Sequence, residues 1–404
     1  MGGDLLRVDS VTPAEGGRFA RFELISWWDQ RRLSEARILV VGAGALGNEI
    51  LKNLALLGVG RIFVADLDRI ENSNLSRAVL FREQHEGLPK ATVAGAAVRD
   101  LYPDAAVRDW VGDVNYDLGL GVFRWADVVL AGLDNREARL SVNRACWRTG
   151  TPFVDGALER LDGVARVFLP PDGPCYECTM SEVDWQIVQQ RRSCALLTRE
   201  ELERGHVPTT PTTASVIAGV QTQEALKLLH GLPVLAGRGF VFAGLTHDSY
   251  VVEYTRDPDC YAHETFADTR ELPARAAELT AGELLARGRE VLGPEATIEL
   301  NAEVLRRLVC PECGQSDDLY QSLGKVHEGM ATCPACGSLR RAELLHAIRG
   351  DEEFLDRPLA AIGVPPFDIL TARCGERAVH FELSGDAAEV LGPLLDPRGA
   401  GTHG

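Results

Sequence analysis

Gly42-Ala43-Gly44-Ala45-Leu46-Gly47 is followed by Asp66, Asp68, Ser73-Asn74-Leu75-Ser76-Arg77, Lys90, and Asp134-Asn135 with Arg139. A glycine-rich loop by itself serves any nucleotide. Asp66 lies about twenty residues past the loop, where a dinucleotide-binding protein places its ribose-binding acid. Up to that point hydride transfer and adenylation fit equally well. A dehydrogenase has no use for the polar run at 73–77, for Lys90, or for the Asp134-Asn135 pair. A site that adenylates needs them all: cations hold the phosphates and neutralise charge as pyrophosphate leaves, and an acid holds Mg²⁺. The pattern therefore points to ATP and Mg²⁺ rather than to NAD.

A second constellation is made of cysteines. Cys310-Pro-Glu-Cys313-Gly and Cys333-Pro-Ala-Cys336-Gly form a paired CxxC set with nineteen residues between. Four thiolates on two such turns make a closed tetrahedral site, so the spacing predicts a structural zinc ribbon. Cys146 falls mid-helix in an apolar context and reads as core. Cys374 falls at a hairpin turn and points to nothing.

The 404-residue chain carries a net charge of -17. That charge argues against a nucleic-acid partner, which wants a basic face. No signal-peptide pattern and no apolar run of membrane-spanning length is present, so the expectation is a cytoplasmic protein without a membrane partner. Ten cysteines in a reducing compartment suggest metal binding or catalysis before disulfides. The chain has only four lysines, Lys52, Lys90, Lys227 and Lys325, which makes Lys90 in this constellation more notable.

The elements that must position these groups follow from periodicity. Arg37–Val41 reads as a buried strand running into the glycine loop, and Leu46, Ile50, Leu54 and Leu57 recur at helical spacing until Gly58 and Gly60. Arg61–Asp66 completes a βαβ unit with the glycines at its first turn. Lys90–Tyr102 reads as a helix, Asp127–Leu133 as a buried strand, Arg136–Thr149 as a helix and Pro152–Gly156 as a strand. Strands then follow from Gly163–Leu169, with a long loop over 181–212, a helix over Ala214–Leu229, and a hairpin of Phe240–Gly244 with Ser249–Tyr254. The fold class is α/β, a Rossmann-like nucleotide-binding sheet that is parallel first and antiparallel later, plus a small C-terminal zinc-ribbon α+β domain. The expected units are a lead-in and amphipathic helix over 1–34, an adenylation domain over 35–266, a helical linker over 267–300 and the zinc ribbon over 301–345. A small α+β tail over 346–404 follows, with a hairpin of Asp368–Arg373 and Ala378–Leu383, a helix, and a disordered end.

Over about residues 18–265 the chain resembles the ubiquitin-activating and sulfur-carrier-activating superfamily. The spacing from Asp66 through Asn74, Arg77 and Lys90 to Asp134 carries the resemblance. It implies that Gly42, Gly44, Ala45, Gly47, Asp68 and Asn135 line the nucleotide site and that Asp66 binds the ribose. It implies further that Asn74, Arg77 and Lys90 contact the phosphates and that Asp134 coordinates Mg²⁺. Family members send an arginine from before the first strand into a dimer partner's site. Arg21 is similar to that finger, although the glutamine that usually follows is absent; Arg18 is the other candidate. The resemblance also implies a homodimer and a zinc knuckle at Cys175-Tyr176-Glu177-Cys178. The family closes its knuckle with a second CxxC. Here Cys260-Tyr261-Ala262-His263 stands in that place, giving a Cys₃His set, because imidazole can replace thiolate in a structural site. Zinc is thus expected at two structural sites. The loop over 181–212 crosses the carrier's tail in this family, and Cys194, flanked by Arg191 and Arg192, is expected as the thioester nucleophile.

The activity so implied is ATP-dependent adenylation of a ubiquitin-like protein at its C-terminal glycine. Thioester formation on Cys194 and transfer to a conjugating enzyme follow, as in bacterial conjugation systems, some tied to phage defence. The alternative is a sulfur-carrier adenylyltransferase of the molybdopterin or thiamine type, without a thioester step. A non-catalytic scaffold is disfavoured by the intact nucleotide constellation.

Overall fold

A computed structural model of the chain describes residues 17–186, 208–326 and 328–395. Cys194, Arg191, Arg192 and the last residues of the tail lie outside them. The first unit opens with helix α1, Gln30–Glu35, and strand β1, Arg37–Val41. Helix α2, Ala45–Leu57, strand β2, Arg61–Asp66, helix α3, Lys90–Leu101, and strand β3, Ala106–Val111, follow. Next come helix α4, Leu120–Trp125, strand β4, Val128–Ala131, helix α5, Arg136–Thr149, and strands β5, Phe153–Glu159, and β6, Asp162–Phe168. Helix α6, Pro211–His230, and strands β7, Arg238–Ala243, and β8, Asp248–Glu253, complete the first sheet.

That sheet runs β3-β2-β1-β4-β5-β6-β7-β8. The pairs from β3 to β5 are parallel, and those from β5 to β8 are antiparallel. The parallel strands are buried on both faces, which is why Ile38–Val41 and Val128–Ala131 are unbroken apolar runs. Helices α2, α3 and α6 cover one face and α4 with α5 cover the other. Chain order reverses between β1 and β4, and in such sheets ligands bind at the carboxyl ends of the strands beside that reversal.

Strand β9, Thr269–Leu272, begins a second sheet. Helix α7, Ala281–Leu292, and strands β10, Thr297–Val309, β11, Ser316–Ser322, and β12, Arg341–Ile348, follow. Strands β13, Ile369–Cys374, and β14, Arg377–Leu383, and helix α8, Ala387–Leu391, end the described chain. The sheet order is β11-β10-β13-β14-β9, with β12 also on β10.

Two expectations need correction here. Residues 267–300 are not a linker: β9 pairs with β14, and α7 packs on Ala372 and Ile298 of the same sheet. Nor do 301–345 stand apart from 346–404. Strand β10 pairs with β13 through residues 297–299 and with β11 through residues 304–309, and it pairs with β12 along both stretches. One thirteen-residue strand therefore serves both halves. The reason is the hydrophobic pattern: Ile298, Val304, Leu305 and Leu308 are all buried along it.

The second unit is also built into the first. Phe367, Ile369, Val390, Leu391 and Leu394 belong to the same buried cluster as Leu120, Phe123 and Leu140. Asp368 is buried and its Oδ1 accepts the Leu120 N–H at 2.9 Å, capping α4 from across the interface. Phe367 O accepts the Gly121 N–H at 2.9 Å, an approach that a Cβ at Gly119 or Gly121 would block.

Candidate active site

The glycine loop joins β1 to α2 under close confinement. Gly42 has φ +91, and a Cβ on it would stand 2.7 Å from Gly132 O. A Cβ on Gly47 would stand 1.9 Å from Gly42 O. Gly44 caps α2 at its N-terminus without a side-chain partner, and Ala45 is the first helical residue. The N–H groups of Gly42 and Ala43 are held by Ala65 O and Asp66 Oδ2, so it is the N–H groups of the first turn of α2, which have no acceptor within the helix, that can face an anion. Gly132, at the end of β4, is equally confined, since a Cβ there would stand 2.7 Å from Gly47 N.

Asp66 ends β2 beside this loop. Its Oδ2 accepts the Ala43 N–H at 2.6 Å and its Oδ1 accepts the Asp68 N–H at 2.7 Å. Burial pushes its carboxyl up to about 6, against the pull of Lys90 and of the two amide hydrogen bonds. Lys90 opens α3, and its Nζ donates to Asp68 Oδ2 at 2.9 Å. Burial works against the Lys90 ammonium, but Asp66, Asp68 and Asp134 outweigh it and raise its pKa. Asp66, Asp68, Lys90 and Asp134 therefore form one electrostatic group at the strand ends.

Asp134 sits on the short loop between β4 and α5. Asn135 is the N-cap of α5, its Oδ1 accepting the Ala138 N–H at 2.8 Å, and its Nδ2 donates to Asp134 Oδ1 at 3.3 Å. Arg139 holds the loop from beneath. Its guanidinium donates to Leu133 O at 2.5 Å, to Gly156 O at 3.0 Å and to Asp155 Oδ1 at 3.0 Å. Asn74 and Arg77 face their own turn in this conformation: Asn74 Oδ1 accepts the Glu71 N–H at 3.0 Å, and Arg77 donates to Ser73 O at 2.9 Å.

Two residues that shape this site had no place in the sequence reading. Asn48 is fully buried on α2, where its amide donates to Ala43 O at 2.7 Å and accepts the Leu80 N–H at 2.8 Å. It ties the glycine loop to the segment that carries Asn74 and Arg77. An amide one residue past the loop was the available signal. Gly132 had none, because its need for a missing side chain arises from a residue 85 positions away in the chain, Gly47.

Arg21 is exposed at the start of a short 3-10 turn, Phe22–Leu24. Arg18 instead donates to Leu101 O and lies 5.1 Å from the Tyr102 ring centre. Of the two candidates, Arg21 is the one without a partner among the described residues.

The cysteine sets assemble as two four-ligand clusters, each with its donor atoms within 4.8 Å of one another. In the first, Cys175 Sγ is 3.7 Å from Cys178 Sγ and 3.6 Å from Cys260 Sγ, and Cys178 Sγ is 3.3 Å from His263 Nε2. In the second, Cys310 and Cys336 are 3.4 Å apart and Cys313 and Cys333 are 3.6 Å apart. A tetrahedral site with zinc–sulfur bonds of about 2.3 Å places its sulfurs roughly 3.8 Å apart, so both donor sets could hold such an ion. The second set is made of two matched turns. Gly314 N–H donates to Cys310 O at 3.0 Å and Gly337 N–H to Cys333 O at 2.9 Å, with both glycines at positive φ.

A nucleotide-type glycine loop at the reversal point of an α/β sheet, with a Lys/Asp group beside it, defines a Rossmann-like nucleotide-binding protein. The ThiF family model matches residues 17–262, and the chain belongs to the ThiF family. It is 36% identical over 239 residues to the SAMP-activating enzyme E1 of Haloferax volcanii, covering 57% of this chain and 81% of that one. It is 34% identical over 237 residues to the sulfur carrier protein adenylyltransferase of Thermus thermophilus, covering 57% of this chain and 83% of that one. Among solved structures, Escherichia coli MccB crystallised with ATP superposes with a TM-score of 0.52 at 22% identity, over 62% of this chain and 75% of that one. That likeness is one of fold. Among the described residues no helix is long and apolar enough to cross a membrane.

Proposed function

We propose that this chain uses ATP to activate the C-terminal carboxylate of a small ubiquitin-like protein, by adenylation and then by thioester formation on Cys194. The observation that carries the reading is the grouping of Asp66, Asp68, Lys90 and Asp134 beside the confined glycine loop. Asp66 binds the ribose hydroxyls. The loop amides, Asn74, Arg77 and Lys90 take the phosphates, which requires Arg77 to leave Ser73 O. The tail carboxylate oxygen attacks the α-phosphorus, the bond to the β-phosphate oxygen breaks, and pyrophosphate leaves with the charge held by Lys90 and Arg77. Asp134 would hold a magnesium ion, which supplies further neutralisation to the leaving group. The Cys194 thiolate then attacks the acyl carbon and AMP leaves, so the tail becomes a thioester ready for a conjugating enzyme. Both four-ligand sets hold structural zinc. Arg21 acts in the site of a second copy, and a chain that light scattering finds monomeric at working concentration would remove that role.

A second reading, a sulfur-carrier adenylyltransferase without the thioester, is supported by the likeness to the Thermus thermophilus enzyme. The two share the first step. ATP–pyrophosphate exchange should therefore require a carrier with a free C-terminal glycine, and Asp134→Ala should abolish it. Exchange that survives Asp134→Ala undiminished overturns the assignment of the acid. Binding of NAD without ATP overturns the reading as a whole.

A further inference from the structure

One face of α5 runs from the acid loop to the Cys₃His set. Arg139, Asn143 and Trp147 follow one another at four-residue intervals and so lie in one row along the helix. At one end Arg139 holds Leu133 O, next to Asp134. At the other, the Trp147 ring packs on His263 with centroids 4.3 Å apart. Between them Asn143 is fully buried, and its Oδ1 accepts the N–H of Tyr176, between the ligands Cys175 and Cys178, at 2.9 Å. One residue on, Arg144 grips Glu177 through two hydrogen bonds of 2.6 and 3.0 Å.

The second half of the Asn143 amide makes no such bond. Its Nδ2 is buried without a hydrogen-bond partner among the described residues. The N–H that its Oδ1 holds belongs to the residue directly after the ligand Cys175. A buried N–H donor left open against such a turn is suited to a metal-bound thiolate, which accepts hydrogen bonds, and such outer partners orient the ligands they touch.

We propose that Asn143 is a positioning residue that orients Cys175 toward the metal. Occupancy of the Cys175/Cys178/Cys260/His263 set thereby holds α5, and through Arg139 the Asp134 loop, in working position. The coupling to Asp134 rests on the adenylation reading; the contact with the metal set does not. The set is then more than a staple between the end of β6 and the segment after β8, because its far end is the acid of the reaction.

The test uses the full chain with zinc bound. Asn143→Asp keeps the acceptor for the Tyr176 N–H and turns a carboxylate toward the thiolate. Zinc affinity at this set, read by competition with a chromophoric chelator, should fall roughly 10- to 100-fold. The magnesium concentration for half-maximal exchange should rise severalfold in the same variant while its far-ultraviolet circular dichroism stays that of the parent. Unchanged zinc affinity overturns the role of Asn143. Weakened zinc binding with an unchanged magnesium requirement overturns the coupling. Should Asn143→Asp fail to fold, Arg144→Gln loosens Glu177 from a half-exposed position and must move both readings the same way by a smaller amount; no movement overturns the proposal. A parent chain that shows no exchange counts against adenylation, and the zinc competition still decides the role of Asn143.

Discussion

Asn48 and Leu80 are joined by a buried hydrogen bond, the Leu80 N–H donating to Asn48 Oδ1 at 2.8 Å, and this bond fastens the segment that carries Asn74 and Arg77 to the glycine loop. The same amide donates to Ala43 O and Gly44 O, at 2.7 and 3.1 Å. Asn48→Ala would leave the Leu80 N–H and Ala43 O without this partner, while Gly44 O keeps the backbone N–H of residue 48. The expected loss of stability is about 2 kcal/mol, read in denaturant unfolding, because unpaired buried groups cost about 1–3 kcal/mol each and some relax. KM for ATP should rise as the 72–81 segment loosens. A variant as stable as the parent would show that water replaces the amide without penalty.

The raised pKa of Asp66 sets a pH dependence. Burial lifts the carboxyl from its ordinary range near 4 to about 6. The free enzyme should lose kcat/KM for ATP as pH falls through about 6, since a protonated Asp66 gives up acceptor capacity. The stability term has the opposite sense. The folded chain keeps a proton that the unfolded chain releases, so this contribution is full at low pH and is lost as pH rises from about 4 to about 6. Asp66→Asn should flatten both. An acid limb that persists in Asp66→Asn belongs to another group.

Phe367 is buried in the cluster shared by the two sheets, and Asp368 caps α4. Phe367→Ala should therefore cost about 3–5 kcal/mol, the usual range for a buried aromatic, and should lower the stability of the nucleotide sheet along with its own. Calorimetry is expected to show one cooperative transition for the described chain. Two transitions with only the second moved by Phe367→Ala would restore the picture of a detachable C-terminal unit.

Cys194 separates the two enzymatic readings. Adenylation needs no thiol and the thioester does, so Cys194→Ala should keep ATP–pyrophosphate exchange and lose a reductant-sensitive adduct with the carrier. If the parent chain forms no adduct, or Cys194→Ala forms it equally well, the thioester step is wrong and the sulfur-carrier reading takes its place.

Local pattern was enough for much of this molecule. The apolar run of Ile38–Val41 followed by three glycines and a helical repeat can only be a buried strand, a tight turn and a helix, and the bounds of α5 follow from the Asn135 cap and the terminal Gly150. Paired CxxC turns likewise announce their own four-ligand site, because the ligand geometry is encoded within each turn. Relations between distant segments were beyond it. Strand β3, Ala106–Val111, has no clean alternation, since Val107 is buried and Val111 on the same face is exposed, and its place at the sheet edge comes from pairing with β2. The stretch 267–300 has a helix former's composition, yet β9 is recruited by β14, more than one hundred residues later. Asn48 acquires its purpose from Leu80, Gly132 from Gly47, and Asn143 from Tyr176. Residue types and spacing determined the chemistry available to this chain, because ligands and catalytic groups must be of particular kinds. Tertiary structure decided which of them meet, because hydrogen bonds and close packing depend on distances that the order of residues does not contain.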